Sequence, residues 1–168
     1  MGVDKFAMVI NGQPQWKFMV DELSEFFDEV HISCRQDQAA HFNGHPVVMD
    51  EVEDIGPMGA IYSSFRQISG SNNIFFIACD LPGFDVSIAK NLHAHLLDKY
   101  DVVAAMNPES GSKEPLVAFW NRSALPMIEQ FIEQENYALF KCMNQLRTKA
   151  IMVSDSLFLR NVNSPSDL

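Results

Sequence analysis

Short apolar segments alternate along the chain with segments in which apolar residues recur at helical spacing. This alternation predicts an α/β domain. The clearest apolar run covers residues 74–79, which contain no polar side chain. A run of that kind is typical of a strand buried on both faces of a sheet. Glycine and proline fall almost wholly between the predicted elements, so we predict one domain over residues 1–168.

Five helices and seven strands follow from this pattern. The helices are predicted at residues 17–27, 57–68, 86–97, 124–133 and 139–146. The strands are predicted at residues 30–34, 46–49, 74–79, 101–106, 115–120, 150–153 and 158–160. Because a polar loop with Pro108 and Gly111 joins the strands at 101–106 and 115–120, we expect these two to pair antiparallel.

Composition and charge narrow the function. The 168 residues are 47% hydrophobic and carry a formal net charge of −10. An acidic chain is a poor match for nucleic acid, whose binding requires Lys and Arg at many phosphates, but it can still bind a mononucleotide. No apolar run approaches the roughly 20 residues of a membrane span, and no secretory signal is apparent. We therefore expect a cytoplasmic protein with three reduced cysteines and no structural zinc.

Candidate site residues lie just after predicted strands. Open α/β sheets bind ligands beyond the carboxyl ends of their strands. Asp50, Asp80 and Arg35 occupy such positions. Two carboxylates there can hold Mg²⁺, although an aspartate such as Asp50 can also cap the next helix or loop. Asp80 directly ends a wholly apolar run, which favours a ligand role. Gly56-Pro57 could offer backbone N–H groups to an anion or simply begin a helix.

Several short motifs, taken together, resemble one known family. In order, they are Met-Gly-Val-Asp-Lys (1–5), Asn-Gly-Gln-Pro (11–14), Val-Val-Met-Asp (47–50), Gly-Pro-Met-Gly-Ala-Ile (56–61), Ala-Cys-Asp-Leu-Pro (78–82), Glu-Pro-Leu-Val-Ala (114–118) and Asn-Val-Asn-Ser-Pro-Ser-Asp-Leu (161–168). Their order and spacing resemble molybdenum cofactor guanylyltransferase, the molybdopterin-guanine dinucleotide biosynthesis protein A family. The resemblance implies a Rossmann-like three-layer sandwich of the nucleotide-diphospho-sugar transferase type. Its sheet would be mixed, mostly parallel and of about seven strands.

The resemblance also implies an activity and a set of site residues. The family transfers GMP from GTP to molybdopterin with Mg²⁺ and releases pyrophosphate. Lys5 and Asp80 would be catalytic, and Asp80 would hold the metal. Lys5, Cys34, Asp50 and Asp80 would contact the nucleotide. Asn161 and Asn163 would line the molybdopterin side.

The start of the chain departs from the family pattern. The family begins with a strand and a Leu-Ala-Gly-Gly-x-Ser-x-Arg loop before Met-Gly-x-Asp-Lys, which here stands at Met1. We therefore expect an N-terminally truncated domain with a gap beside residues 74–79. A second copy, a partner chain, a rearranged segment or further residues would complete the sheet. Two alternatives remain: a non-catalytic relative that binds or assembles with partners, and an enzyme that uses CTP.

Overall fold

The computed structural model of the chain describes residues 9–10 and 12–160. Its strands are β1 (Val9–Ile10), β2 (Gln13–Pro14), β3 (Ile32–Cys34), β4 (Val47–Met49), β5 (Asn73–Ile77), β6 (Val102–Met106), β7 (Lys113–Asn121) and β8 (Thr148–Met152). Its α-helices are α1 (Gln15–Ser24), α2 (Pro57–Gln67), α3 (Val86–His93), α4 (Leu125–Glu133) and α5 (Leu139–Gln145). Short 3₁₀ helices cover Gln36–Phe42, Arg122–Ala124 and Ser156–Leu159. The predicted sites Lys5, Asn161 and Asn163 lie outside the described residues.

The larger sheet has the strand order β5-β7-β6-β8. Strand β7 pairs antiparallel with both β5 and β6, and β6 pairs parallel with β8. The predicted antiparallel pairing after residues 101–106 is confirmed. It follows that β5, β6 and β8 all end at one edge of the sheet, where β7 begins. We call this edge, which is where this fold class binds ligands, the C-terminal edge.

Alternate side chains of β5 enter two separate cores. Phe75 and Ile77 pack with residues of α1 and α3. Ile74 and Phe76 pack with residues of α2, α4 and α5. Because successive side chains of a strand point to opposite faces, helices cover both faces of the sheet. The predicted three-layer α/β sandwich with a mixed, open sheet is therefore confirmed.

A groove separates the larger sheet from the parallel pair formed by β3 and β4. Among the described residues, β3 pairs only with β4, and β5 pairs only with β7. The cavity between β3 and β5 has a volume of about 900 Å³ and is lined by residues of these two strands. Residues of α1 and α2 complete its walls. We call this cavity the inter-sheet groove, and it lies beside β5.

Two local predictions differ from the structure. The segment 158–160 is not a strand, because the chain forms a 3₁₀ helix at Ser156–Leu159. Asp155 caps that helix by accepting a hydrogen bond from the backbone N–H of Leu157 at 2.9 Å. The β1–β2 hairpin was not predicted, since two-residue strands leave no periodic signal. None of the helices in the described part of the chain is long and apolar enough to span a membrane.

Candidate active site

Asp80 lies at the C-terminal edge, in a turn that is anchored in the core. Beyond β5, the N–H of Ala78 still donates to the carbonyl of Leu116 at 3.0 Å, which extends the pairing with β7. Asp80 itself is only 9% exposed. Leu81 and Phe84 on the same turn are buried in the core. The backbone on both sides of the carboxylate is therefore held in place.

The turn after Asp80 makes a close backbone contact with a distant segment. A Cβ atom added at Gly83 would lie 2.7 Å from the carbonyl oxygen of Leu157. That distance is too short for a carbon–oxygen contact, so any larger residue must push the two segments apart. Residues 157–160 lead directly to Asn161. The Pro82-Gly83 pair predicts a turn in the sequence, but nothing in the sequence indicates this contact.

We expect Gly83→Ala to lower the free energy of unfolding by about 1–3 kcal/mol, the usual range for overpacking. Urea denaturation followed by circular dichroism measures the change. Leu157→Ala is the matched control, because its side chain is 58% exposed and its carbonyl would remain. We expect that control to stay within about 0.5 kcal/mol of the wild type. Equal stability of Gly83→Ala and the wild type would show that the turn can shift to accommodate the added methyl group without loss of stability.

Asp50 follows β4 and is held by a hydrogen-bonded clamp from α2. The side-chain amide of Gln67 donates to the carbonyl of Met49 at 2.7 Å and accepts from its N–H at 3.3 Å. On the other side of Asp50, the N–H of Glu51 donates to the hydroxyl of Ser63 at 2.8 Å. Both neighbours of Asp50 are thus tied to one helix, which positions its backbone.

The electrostatics around Asp50 favour a ligand that brings positive charge or hydrogen-bond donors. Burial raises the pKa of Asp50, while the Ser33 hydroxyl at 3.4 Å and the Arg35 charge lower it in part. Burial also raises the pKa of the Cys34 thiol, with further contributions from Asp50 and Asp37. Cys34 is therefore a neutral thiol at pH 7, which is a weak hydrogen-bond donor.

The turn before α2 lies at the groove as well. Asp54, Gly56 and Pro57 all line it. Gly56 has φ 60° and ψ −147°, a conformation that favours glycine, and α2 begins at the next residue. A Cβ at Gly56 would meet nothing within 4 Å, so its backbone conformation, rather than crowding, explains the glycine. The first turn of α2 thus borders the groove.

Two of the predicted site residues share this cavity, and a third is adjacent to it. Cys34 and Asp50 line the groove together with Cys79, and Asp80 follows Cys79 directly. Among residues 9–10 and 12–160, no group of three or more His, Cys, Asp or Glu side chains is arranged to hold a metal ion. Mg²⁺ needs only one or two protein carboxylates, because phosphates and water complete its shell. Asp80 supplies a suitable hard oxygen donor, so the described residues fit Mg²⁺ bound together with a nucleotide.

Glu114, the first residue of the Glu-Pro-Leu-Val-Ala motif, is a second carboxylate at the C-terminal edge, and the sequence assigned it no role. It lies at the start of β7 opposite Ala105, and burial raises its pKa. Because Glu114 follows a polar loop, its local pattern is that of a solvated residue, and the motif alone gives it no role. Only the position of β7 between β5 and β6 reveals that Glu114 shares an edge with Asp80.

Comparisons with known proteins agree with this architecture. A sequence model described as a MobA-like NTP transferase domain matches residues 1–149. A molybdenum cofactor biosynthesis bifunctional protein from Synechocystis is 30% identical over 99% of this chain, which spans 48% of that protein's length. A molybdenum cofactor guanylyltransferase from Vibrio atlanticus is 25% identical over 99% of this chain and 86% of its own length.

A solved structure shows the same fold. It is described as molybdopterin-guanine dinucleotide biosynthesis protein A from Archaeoglobus fulgidus and is 18% identical to this chain. The two superpose with a TM-score of 0.80 over 99% of this chain and 87% of the other. The family match covers most of the sequence, including both candidate aspartates. The chain therefore belongs to the MobA-like NTP transferase domain family, a family of nucleotidyltransferases.

Proposed function

We propose that this protein transfers GMP from GTP to molybdopterin and releases pyrophosphate. The observation that carries the proposal is the similarity to a molybdenum cofactor guanylyltransferase over 99% of the chain. The site is compatible with it, because the end of the inter-sheet groove at the C-terminal edge carries Asp50 and adjoins Asp80. This is the position at which open α/β sheets bind nucleotides.

In this proposal Asp80 holds Mg²⁺ together with the phosphates of GTP. The ion supplies positive charge that offsets the repulsion between two phosphate groups. A single, nearly buried carboxylate suits the task because its turn is anchored by Leu81 and Phe84. By resemblance, Lys5 contacts the same phosphates, and Asn161 and Asn163 line the molybdopterin side.

Asp50 and Cys34 are proposed to contact the nucleoside. Asp50 offers carboxylate oxygens that can accept hydrogen bonds from a guanine or a ribose. Burial raises its pKa, so a ligand that brings N–H or O–H groups to this carboxylate would be favoured there. Cys34 offers only a neutral thiol, which is a weak hydrogen-bond donor, so we expect Asp50 to contribute more to nucleoside binding than Cys34.

The chemical step needs alignment more than proton transfer. A phosphate oxygen of molybdopterin forms a bond to the α-phosphorus of GTP, and the bond between that phosphorus and the bridging oxygen to the β-phosphorus breaks. The electron pair leaves with pyrophosphate. The attacking oxygen is already anionic, so the residues around it must hold two charged groups in line and need not remove a proton.

Calorimetric titration of this chain with GTP, CTP and ATP in the presence of Mg²⁺ tests the proposal. We expect GTP to bind at least about tenfold more tightly than CTP or ATP, a difference of about 1.4 kcal/mol. Removing Mg²⁺ with a chelator should weaken GTP binding. Preferential binding of CTP would instead support the cytidylyl-transfer alternative, and no nucleotide binding at all would favour a non-catalytic role.

We expect Gln67→Ala to weaken GTP binding by about threefold to thirtyfold, or about 0.7–2 kcal/mol. The change removes two hydrogen bonds to the backbone beside Asp50, together with a longer one to the Glu51 carboxylate at 3.4 Å. Both backbone bonds join α2 to Met49, the residue before Asp50. The same titration measures the loss. Gln130→Ala on the exposed face of α4 is the matched control and should bind GTP like the wild type. If Gln67→Ala binds GTP as tightly as the wild type, the hydrogen bonds from Gln67 to Met49 do not contribute to nucleotide binding.

A further inference from the structure

The register between β5 and β7 brings Glu114 next to Asp80 at the C-terminal edge. The two strands run antiparallel, and Ile77 lies opposite Val117. Three residues forward from Ile77 is Asp80, and three residues back from Val117 is Glu114. The hydrogen-bonded pairing ends at Ala78, where β5 gives way to the turn. Because neighbouring strands lie about 4.8 Å apart, the two carboxyl groups leave the same edge from adjacent positions.

The strand order places Glu114 on the side of Asp80 that faces away from the inter-sheet groove. The groove lies between β3 and β5, and β7 lies on the other side of β5. Cys34 and Asp50 line the groove, whereas Glu114 does not. In the proposed reaction the nucleoside occupies the groove end and the reacting phosphates lie at Asp80. The acceptor must reach the same phosphorus without displacing the nucleoside, so it approaches from the β7 side.

A bulge in β7 fixes the backbone at Glu114. Ala104 of β6 pairs with Ala118, but the next residue, Ala105, pairs with Glu114, so β7 bulges between these two pairs. The indole N–H of Trp120 donates to the carbonyl of Pro115 at 3.0 Å and holds the bulge from within the core. Bulges are frequent beside active sites, where they redirect a side chain. Glu114 is therefore a positioned residue and not part of a loose loop.

The Glu114 carboxylate is half-buried and has acceptor capacity to spare. Its neighbour Lys113 donates to the side chain of Asn144 at 2.7 Å and so does not neutralise it. In the part of the chain that the structure describes, no group donates a hydrogen bond to the Glu114 carboxylate, and burial alone acts on it. A carboxylate that is partly withdrawn from water favours a ligand that brings hydrogen-bond donors.

The shape of a carboxylate selects the kind of donor. Its two oxygens accept two parallel hydrogen bonds best when the donors are adjacent N–H groups in one plane. A pterin presents such a pair, namely the amino group on the pyrimidine ring and the ring N–H beside it. Guanine presents the same pair. The position of Glu114 on the β7 side of Asp80, away from the groove, favours the pterin of the acceptor.

We propose that Glu114 binds the acceptor substrate by accepting two hydrogen bonds from the amino group and the adjacent ring N–H of its pterin. Glu114 would thus hold the acceptor on one side of Asp80 while Asp50 contacts the nucleoside on the other. That the acceptor is molybdopterin rests on the proposed function. The position of Glu114 between Asp80 and β6 does not.

Steady-state kinetics of Glu114→Gln at saturating GTP and Mg²⁺ tests the role in the reaction. Glutamine keeps the shape but replaces one acceptor oxygen with an NH₂ group that faces the donors of the pterin. We expect the KM for molybdopterin to rise about tenfold or more, with kcat within about threefold of the wild type. The Kd for GTP, measured by calorimetry, should not change. Glu133→Gln on an exposed position at the end of α4 is the matched control and should behave like the wild type.

A binding experiment tests Glu114 without requiring catalysis. The chain is titrated into 6-hydroxymethylpterin, with binding followed by pterin fluorescence, and into 6-hydroxymethyllumazine, in which a carbonyl replaces the amino group. We expect the wild type to bind the pterin about tenfold more tightly than the lumazine, and Glu114→Gln to lose this preference. If the chain transfers no nucleotide but shows this pattern, the proposed function fails and the assignment of Glu114 stands.

Three results would overturn the assignment. The first is a pterin preference and a KM for molybdopterin that are unchanged in Glu114→Gln. The second is weaker GTP binding with the pterin preference intact, which would place Glu114 at the guanine. The third is a higher Mg²⁺ requirement with an unchanged KM, which would make Glu114 a metal ligand. Circular dichroism checks the fold. If Glu114→Gln does not fold, Glu114→Asp, which withdraws the carboxylate by one methylene, should reduce the pterin preference, and an unchanged preference would likewise overturn the assignment.

Discussion

Asp80→Asn is expected to lower the rate of nucleotidyl transfer by about 10²–10³-fold or more, the range seen when one electrostatic group is removed from an active site. The change keeps the shape of the side chain and removes the negative charge that we propose for Mg²⁺ binding. The turn that carries Asp80 is anchored by Leu81 and Phe84, which the change leaves intact. The fold should therefore survive.

Circular dichroism and denaturant unfolding establish the fold of Asp80→Asn, and a pyrophosphate-release assay with GTP and molybdopterin measures its turnover. Asp98→Asn is the matched control, because Asp98 is exposed in the loop after α3. That control should turn over like the wild type. Wild-type turnover in Asp80→Asn would remove Asp80 from the mechanism.

The second large effect that we expect is a loss of stability when the buried carboxylate of Asp101 loses its charge. It accepts hydrogen bonds from Arg147 Nε at 2.9 Å and Nη2 at 2.6 Å, and from the Ser123 hydroxyl at 2.7 Å. The backbone N–H of Arg147 donates to it at 3.0 Å. These bonds tie β6 to the start of β8 and to the 3₁₀ helix before α4. The Arg147 guanidinium lowers the pKa of Asp101 to about 2.

The lowered pKa determines how the contribution of Asp101 to the free energy of unfolding depends on pH. A carboxyl group whose pKa is depressed in the folded state stabilises the fold above its unfolded pKa of about 3.9, and the contribution is lost as the pH falls toward about 2. Asp101→Asn should therefore lower the free energy of unfolding by about 2.5 kcal/mol at pH 7. That value is below the usual 3–5 kcal/mol for breaking a buried pair, because the Arg147 side chain is 61% exposed and can be solvated.

Denaturant unfolding at pH 7 and at pH 2 measures the stability lost in Asp101→Asn and its dependence on pH. The difference between Asp101→Asn and the wild type should be clear at pH 7 and shrink at pH 2. Asp21→Asn is the matched control. Its partner Lys17 lies 3.0 Å away, but both side chains are about half exposed, so the loss should stay below about 0.5 kcal/mol. Equal stability of Asp101→Asn and the wild type at pH 7 would contradict this account.

The sequence predicted those secondary-structure elements that are determined by a local pattern of apolar and polar residues. The apolar run at residues 74–79 predicted β5 because a strand buried on both faces needs apolar side chains throughout. The same run ends at Asp80, so the position of that carboxylate at the C-terminal edge followed from the pattern.

Features that depend on distant contacts could not be predicted. The clamp from Gln67 to Met49 joins residues 18 positions apart, and no motif marks Gln67. The contact between Gly83 and the Leu157 carbonyl depends on how the last described turn packs. Residues 158–160 were wrongly predicted as a strand, because three apolar or long side chains fit a strand as well as a 3₁₀ turn. The cap from Asp155 decided between them.

The most direct test of the proposed function is the product formed from molybdopterin, Mg²⁺ and an equimolar mixture of GTP and CTP. Mass spectrometry identifies which nucleotide is joined to the pterin, and a coupled assay measures pyrophosphate. We predict a product with the mass of molybdopterin plus GMP, with one pyrophosphate released per product, and product formation at least about 100-fold slower with Asp80→Asn. A product that carries CMP, or pyrophosphate release at the wild-type rate in Asp80→Asn, would contradict the account.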